Sequence, residues 1–145
     1  QWICENHPSS LSQVPLQLAT HQLRLQGFSE EAVDAAMHTI THQLERWFQD
    51  PKAQWIMNRH EQQRNEYELL VYTNDRVSTR IIDRTFVADG IQWIIDFKTG
   101  QDTPDALQAH KKQLDEYAIL LRDRTELPIH CGLYYLETGR WVSWI

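Results

Sequence analysis

The spacing of apolar residues changes near residue 60, from a helical period to a strand period. Before that point apolar side chains recur every three or four residues, which places them on one face of a helix. After it, short runs rich in β-branched and aromatic residues are bounded by turn signals, which is typical of strands. The clearest helical series is Val33, Met37, Ile40, Leu44 and Trp47. We therefore expect residues 1–60 to form a helical part, and residues 61–145 an α/β core, of a single domain.

Residues with strong preferences for helix ends mark the borders of the predicted elements. Ser29 and Thr103 are suited to cap the N-termini of helices, and Pro51 is suited to a first helical position. The predicted helices cover residues 14–26, 29–48, 51–55 and 104–122. The predicted strands cover residues 66–73, 77–88, 91–98, 129–137 and 141–145. Three strands, a long helix and two further strands predict an α/β fold with a central sheet flanked by helices.

Composition narrows the class of protein. The chain has 145 residues, 41% of them hydrophobic and six of them tryptophan, which is enough for one domain with a core. The formal net charge of −6 argues against a simple nucleic-acid clamp, which would be basic. Two cysteines, Cys4 and Cys131, exclude an internal four-cysteine iron–sulfur cluster and do not suggest a disulfide framework. No apolar run approaches the roughly 18 residues of a membrane span, so no membrane partner is expected.

Charged residues interrupt the two apolar strands that are joined by the turn at Asp89-Gly90. Asp83 lies in the first strand, and Asp96 and Lys98 lie near the end of the second, on one face because they are two apart. Two carboxylates can hold Mg²⁺ or Mn²⁺, and a lysine can position water or stabilise charge on a phosphate, which suits hydrolysis of a phosphodiester. The alternative is a surface hairpin whose Lys–Asp pair contributes roughly 0–1 kcal/mol.

Three motifs occur in a characteristic order, namely Ile82-Asp83-Arg84, Ile94-Ile95-Asp96-Phe97-Lys98-Thr99-Gly100 and Gln113-Leu114-Asp115-Glu116-Tyr117. Together they resemble the RecB-like branch of the PD-(D/E)xK nucleases. The similarity is closest to the nuclease domain at the C-terminus of UvrD-like helicases of the RecB and AddA type. It spans about residues 47–135, more than half of the chain. The resemblance implies a restriction-endonuclease-like α/β core with a central mixed sheet and an N-terminal helical region.

The resemblance assigns a role to each residue of the strand motifs. It implies that Asp83 and Asp96 bind Mg²⁺ or Mn²⁺, with the backbone carbonyl of Phe97 as a further ligand. It also implies that Lys98 is the catalytic lysine. We expect these residues to meet at one end of the sheet.

Two further elements complete the implied site. Gln113 and Tyr117 match the Gln-x-x-x-Tyr motif of a helix that belongs to the active site and the DNA contact region. Without that match, Tyr117 would be expected only to pack and Gln113 only to face solvent. The family also has a glutamate on the strand before the hairpin. Glu66 matches it, with Glu68 as the alternative, although either residue could instead be a solvated residue of an edge strand.

Two departures from the family pattern set limits on the resemblance. The family's glycine three positions before the first aspartate is Arg80 here, which leaves less room beside the site unless the arginine contacts a phosphate. The family's metal-binding histidine has no convincing match, because the surroundings of His21 resemble the next helix of the family. We expect that histidine to lie upstream of Gln1, in a longer protein of which this chain is a part.

The implied protein is the deoxyribonuclease domain of an ATP-dependent helicase–nuclease that acts in DNA double-strand break repair and recombination. Its partners would be DNA, the helicase domains of the parent chain and a partner subunit, in the bacterial cytoplasm at the nucleoid. The alternative is a catalytically inactive nuclease-like domain that binds DNA or a partner subunit, which Arg80 and the missing histidine favour. A restriction-type endonuclease would share the site but not the Gln-x-x-x-Tyr helix.

Other residues that can bind metals are expected to be structural or solvated. His38 and His42 are four apart on a predicted helix, a spacing that can bind zinc, but no glutamate follows His38 as a His-Glu-x-x-His site requires. We therefore expect both on the surface. His130 and Cys131 lie inside a predicted strand and are expected to pack.

Overall fold

A five-stranded mixed sheet forms the centre of the computed structural model, which describes residues 2–73 and 76–145. The strands lie in chain order, and only β3 and β4 run parallel, while the other neighbours are antiparallel. The strands are β1 (Glu61–Thr73), β2 (Arg76–Ala88), β3 (Ile91–Lys98), β4 (Ile129–Tyr135) and β5 (Arg140–Trp144). The helix between β3 and β4 provides the crossover that a parallel pair needs. The predicted α/β fold with a mixed sheet is confirmed.

Five α-helices flank this sheet in the described part of the chain. They are α1 (Trp2–Asn6), α2 (Leu16–Leu25), α3 (Glu30–Gln49), α4 (Pro51–Met57) and α5 (Pro104–Leu121). The predicted caps are confirmed, since the side chains of Ser29 and Thr103 accept hydrogen bonds from the amides three residues later. Pro51 occupies the first turn of α4, where its missing N–H costs nothing. No described helix is both long and apolar enough to cross a membrane.

The structure differs from the sequence predictions mainly at element ends. β1 begins at Glu61, five positions before the predicted start, because its polar first residues pair with β2 although they show no alternation of apolar side chains. α1 was not predicted, since five residues are too few to show a helical period. β4 ends at Tyr135 instead of residue 137, where the amide of Gly139 turns back to the Tyr135 carbonyl.

Helices cover both faces of the sheet, so the core has two parts. One face packs against α5, and the other packs against α3 and α4. The buried cluster on the α5 face includes Leu69, Ile82, Ile94, Leu114, Tyr117, Leu121, Leu133 and Tyr135. The cluster on the opposite face includes Trp47, Ala53, Ile56, Phe86, Ile95 and Tyr134. β3 lies in the middle of the sheet, so side chains near its C-terminal end are enclosed on both faces.

A fully buried arginine joins the helical part to the sheet. Arg84 has no exposed surface, and its guanidinium donates to the carbonyls of Ile56 and Asn58 at the end of α4, at 2.8 and 3.0 Å. It also donates to the side chains of Asn65 and Gln63 in β1, at 2.6 and 3.3 Å. These contacts satisfy carbonyls that the end of a helix leaves without partners. The clamp therefore fixes β2 immediately beside Asp83.

Candidate functional site

The candidate site lies where β2 separates from β3. The last paired residues of the two strands are Arg84 and Ile95, and beyond them the amide of Phe97 donates to Asp83 Oδ2 at 2.8 Å. A carboxylate therefore takes the position that a main-chain carbonyl would have in a continued ladder. Asp96 and Lys98 lie on the face of β3 that packs against α5. This geometry places both predicted metal-binding aspartates at one end of the sheet.

Lys98 connects the strand motif to the helix motif. Its Nζ lies 2.7 Å from Asp96 Oδ2 and donates to Gln113 Oε1 at 3.1 Å. Gln113 Nε2 in turn donates to the hydroxyl of Tyr117 at 2.8 Å, one helical turn further along α5. The side chains of Asp96 and Lys98 are only 7% and 18% exposed, so this chain of contacts lies largely inside the protein. Gln113 is half-buried and fully engaged, and so does not merely face solvent.

Asp96 is held in an unfavourable environment for a carboxylate. Asp96 Oδ2 lies 2.7 Å from the Lys98 ammonium, and no other group in the described part of the chain donates a hydrogen bond to it. Burial raises the pKa of Asp96, the contact with Lys98 opposes that rise, and the negative charge of Asp83 adds to it. A buried carboxylate that has one ammonium group against it and a second carboxylate nearby is an arrangement that a bound cation would stabilise further.

The donor set fits a hard divalent cation, although it is small. Asp83, Asp96 and the carbonyl of Phe97 offer oxygen ligands, which Mg²⁺ and Mn²⁺ prefer. The described residues contain no cluster of three or more histidine, cysteine, aspartate or glutamate side chains that could hold a metal. The two aspartates and the Phe97 carbonyl would therefore hold the ion together with water, as Mg²⁺ commonly requires.

Glu66 lies closer to this region than Glu68. It lines a cleft of about 190 Å³ together with Cys4, Asn65, Asp83 and Phe97. Its φ of +47° lies in the left-handed region, which is uncommon for a residue other than glycine. Both glutamates are exposed, but Glu68 does not line the cleft. Between the two predicted alternatives, the geometry favours Glu66.

The residues that mark departures from the family pattern lie away from this cleft. Arg80 is exposed, and the only hydrogen bond of its side chain in the described part of the chain goes to the neighbouring Thr79 carbonyl at 3.4 Å. His21 is exposed on α2. His38 and His42 are exposed on α3, as the sequence predicts.

Both cysteines are buried and free, which agrees with the absence of a disulfide framework. Cys131 lies in β4, and burial raises its pKa to about 12, so it is an unreactive thiol packed in the core. The neighbouring His130 packs edge-on against Trp93, with ring centroids 5.0 Å apart. The predicted structural role of this pair is consistent with the burial of Cys131 and the ring contact of His130.

Sequence reasoning missed two residues beside the site, His110 and Tyr135. Nδ1 of His110 lies 3.0 Å from the hydroxyl of Tyr135, which pairs with Lys98 across the β3–β4 ladder. The available signal was the position of His110, three residues before Gln113 and thus on the same face of α5. The sequence gives no indication that Tyr135 lies beside Lys98, because that contact depends on which strands are neighbours in the sheet.

In comparisons with protein-family models and with curated proteins, nothing matches this chain. Its function is therefore inferred from the side chains and their geometry. The roles of Asp83, Asp96, Phe97, Lys98, Glu66, Gln113 and Tyr117 stay predictions.

Proposed function

We propose that this chain is a Mg²⁺- or Mn²⁺-dependent deoxyribonuclease domain with a PD-(D/E)xK core of the RecB-like type. The observation that carries the proposal is the continuous set of contacts Asp96–Lys98–Gln113–Tyr117, with Asp83 on the adjoining strand. Residues from three separate motifs are joined by these contacts. A lysine and a carboxylate paired only for stability would not require an ordered glutamine and tyrosine behind them.

In this proposal Asp83 and Asp96 hold the divalent ion, with the Phe97 carbonyl as a third ligand. The ion supplies charge stabilisation at the phosphoryl oxygen and lowers the pKa of water. Lys98, held between Asp96 and Gln113, orients the attacking water or stabilises negative charge on the phosphate. Gln113 positions the lysine, and Tyr117 fixes the orientation of the Gln113 amide. Glu66 contributes a further negative charge at the edge of the same cleft.

The wider setting follows from the resemblance and is part of the proposal. The domain would belong to an ATP-dependent helicase–nuclease of the RecB or AddA type that acts in double-strand break repair and recombination. DNA, the helicase domains of the parent chain and a partner subunit would be its partners. Its place would be the bacterial cytoplasm, at the nucleoid.

A second candidate is a nuclease-like domain that binds DNA or a partner subunit without cleaving DNA. It is favoured by the small donor set of the described residues and by the exposed arginine at position 80, where the family has glycine. In that case the Lys98–Asp96 pair would be a structural remnant of the catalytic site. Only the first candidate would cleave DNA in the presence of a divalent metal ion.

The decisive experiment measures cleavage of labelled single-stranded and double-stranded DNA with Mg²⁺ and with Mn²⁺, beside calorimetry with Mn²⁺. We expect metal-dependent cleavage that Asp96→Ala abolishes, together with loss of the heat of Mn²⁺ binding. Glu116→Ala is the matched control, because Glu116 is an exposed acid on α5. Equal Mn²⁺ heats for the wild type and Asp96→Ala would contradict the metal site. Folded protein that binds DNA but does not cleave it would favour the second candidate.

A further inference from the structure

A histidine and a buried tyrosine lie next to Lys98 of the candidate site. Tyr135 is the last residue of β4 and has no exposed surface. Tyr135 pairs with Lys98 in the parallel ladder, so the two side chains leave the sheet at neighbouring positions. Its hydroxyl lies 3.0 Å from Nδ1 of His110, and the two ring centroids are 5.9 Å apart.

His110 is placed by the same helix that carries the Gln-x-x-x-Tyr motif. It precedes Gln113 by three residues, so both side chains lie on the face of α5 that meets the sheet. The imidazole is half-buried. Burial lowers the pKa of His110, and the positive charge of Lys98 lowers it further. The ring is therefore neutral at neutral pH, within electrostatic reach of the lysine.

The hydrogen bond to Tyr135 determines which nitrogen of the ring carries the proton. The tyrosine hydroxyl makes no other hydrogen bond in the described part of the chain, and a buried hydroxyl without an acceptor would be costly. The phenol is thus expected to donate to Nδ1, which leaves the proton of the neutral imidazole on Nε2. Nε2 itself has no hydrogen-bond partner in residues 2–73 and 76–145. Nε2–H is therefore a donor whose ring is held in place through Nδ1.

We propose that His110 is a further substrate-contacting residue, whose Nε2–H donates to a phosphate oxygen of the nucleic acid beside Lys98. The inference rests on the proposed function, because it takes a phosphodiester as the ligand of this site. A donor fixed in place before the substrate arrives stabilises developing charge without reorganisation. Since His110 is neutral, it adds a donor without adding another charge near Lys98.

Several other charged and titratable groups surround the pair. Lys98 and Asp96 face it from β3, and the ion pair between Asp102 and Arg140, at 3.2 Å, lies beside Tyr135 from the loop after β3 and from β5. Asp102 and Arg140 neutralise each other. Nε2 of His110 is therefore a neutral donor among charged groups, whereas Lys98 contacts both Asp96 and Gln113.

Three variants test the contact: His110→Ala, His110→Gln and Tyr135→Phe. The amide nitrogen of glutamine can reach the position of Nε2, so His110→Gln should retain the donor that His110→Ala removes. We expect His110→Ala to lower kcat/KM for DNA cleavage by roughly 100-fold, as for a lost transition-state donor, and His110→Gln to recover most of that loss. Tyr135→Phe should shift the imidazole from a single tautomer to a mixture, as read from its ¹⁵N chemical shifts. His38→Ala, an exposed histidine on α3, is the control that should change neither quantity.

Each result of these measurements either supports or overturns the contact between His110 and a phosphate. Equal cleavage by the wild type and His110→Ala overturns the proposal, as does an equal loss in His110→Ala and His110→Gln when both variants are folded. If the wild type does not cleave DNA, the proposed function fails, and affinity for a fluorescent oligonucleotide in EDTA then tests the contact separately. If His110→Ala lowers the affinity by about 10-fold or more and His110→Gln restores it, the phosphate contact is supported even in a domain without nuclease activity. Unchanged affinity would overturn it.

Discussion

Lys98 and Gln113 are joined by a hydrogen bond of 3.1 Å that links the end of the third strand to the middle of the long helix. The bond gives the ammonium group a second fixed acceptor besides Asp96, so its direction does not depend on the carboxylate alone. Because Gln113 also donates to Tyr117, its amide has one orientation in which both contacts are satisfied. The position of the lysine is thus set from the helix as well as from the strand.

Replacement of the lysine should affect cleavage far more than binding. We expect Lys98→Ala to lower the rate of DNA cleavage by about 100-fold or more, because in the proposed function the lysine would act on charge that develops in the transition state. Affinity for DNA should fall much less than the cleavage rate, since an interaction made mainly in the transition state contributes little to binding of the substrate. Single-turnover cleavage and fluorescence anisotropy measure the two quantities. The control is Lys112→Ala, which replaces an exposed lysine of α5 and should leave the cleavage rate unchanged. If Lys98→Ala also cleaves at the wild-type rate, another residue carries the role proposed for Lys98.

Because the pKa of Asp96 is raised, the free energy of unfolding should depend on pH. Burial is the main reason that its pKa is raised in the folded protein, so folding favours its protonated form. At neutral pH the ionised carboxylate therefore lowers the free energy of unfolding, and this effect disappears as the pH falls below the ordinary pKa of about 3.9. Asp96→Asn should accordingly be more stable than the wild type at pH 7 in the absence of metal, with the difference vanishing near pH 3.

Chemical denaturation across this pH range measures the effect. Glu116→Gln is the matched control, because an exposed carboxylate should show no such trend. Addition of Mn²⁺ should stabilise the wild type and leave Asp96→Asn unchanged, because binding to the folded state alone raises its stability. A wild type that is equally stable with and without Mn²⁺ would count against the cation.

The tyrosine of the long helix should act through the glutamine. Tyr117 is buried and packs in the core, and its hydroxyl bonds to Gln113. Tyr117→Phe keeps the ring and removes that bond, so we expect a stability loss of only about 1 kcal/mol. The cleavage rate should fall about 10-fold, as the amide that orients Lys98 becomes free to turn. Gln108→Leu, at an exposed position on α5, serves as a control. Full activity in Tyr117→Phe would show that Tyr117 only packs in the core.

Loss of the buried arginine should destabilise the fold and the site together. Arg84→Met would leave the carbonyls of Ile56 and Asn58 without their donors, at a cost of about 2–4 kcal/mol. Because Arg84 fixes the strand next to Asp83, Mn²⁺ affinity should fall as well. Arg80→Met on the same strand is exposed and should change stability by no more than about 0.5 kcal/mol. Thermal unfolding and Mn²⁺ calorimetry on both variants check the contrast.

The sequence predicts those parts of the molecule whose signals are local. The third strand and the capped long helix were placed within a residue or two, because turn residues and capping residues act on their immediate neighbours. The meeting of Lys98 with Gln113 also follows from motif order, although only the resemblance indicated it. The contact of His110 with Tyr135 and the clamp of Arg84 join residues 25 and 28 positions apart, respectively. No periodic pattern carries such contacts, since they depend on how helices and strands are packed.

The left-handed backbone at Glu66 also escaped prediction, because glutamate has no preference for it. Glu66 lines the cleft beside Asp83, and Glu68 does not.

The hydrogen bond between the Phe97 amide and the Asp83 carboxylate makes one backbone proton sensitive to the chemistry of the cleft. Its acceptor is an ionisable side chain, so the strength of the bond changes when that carboxylate binds a cation or a proton. The amide resonance of Phe97 should therefore move during a titration with Mg²⁺, while the amides of the paired residues before it, such as Ile95, remain still. A single proton signal would thus report occupancy of the cleft in solution, independently of any substrate.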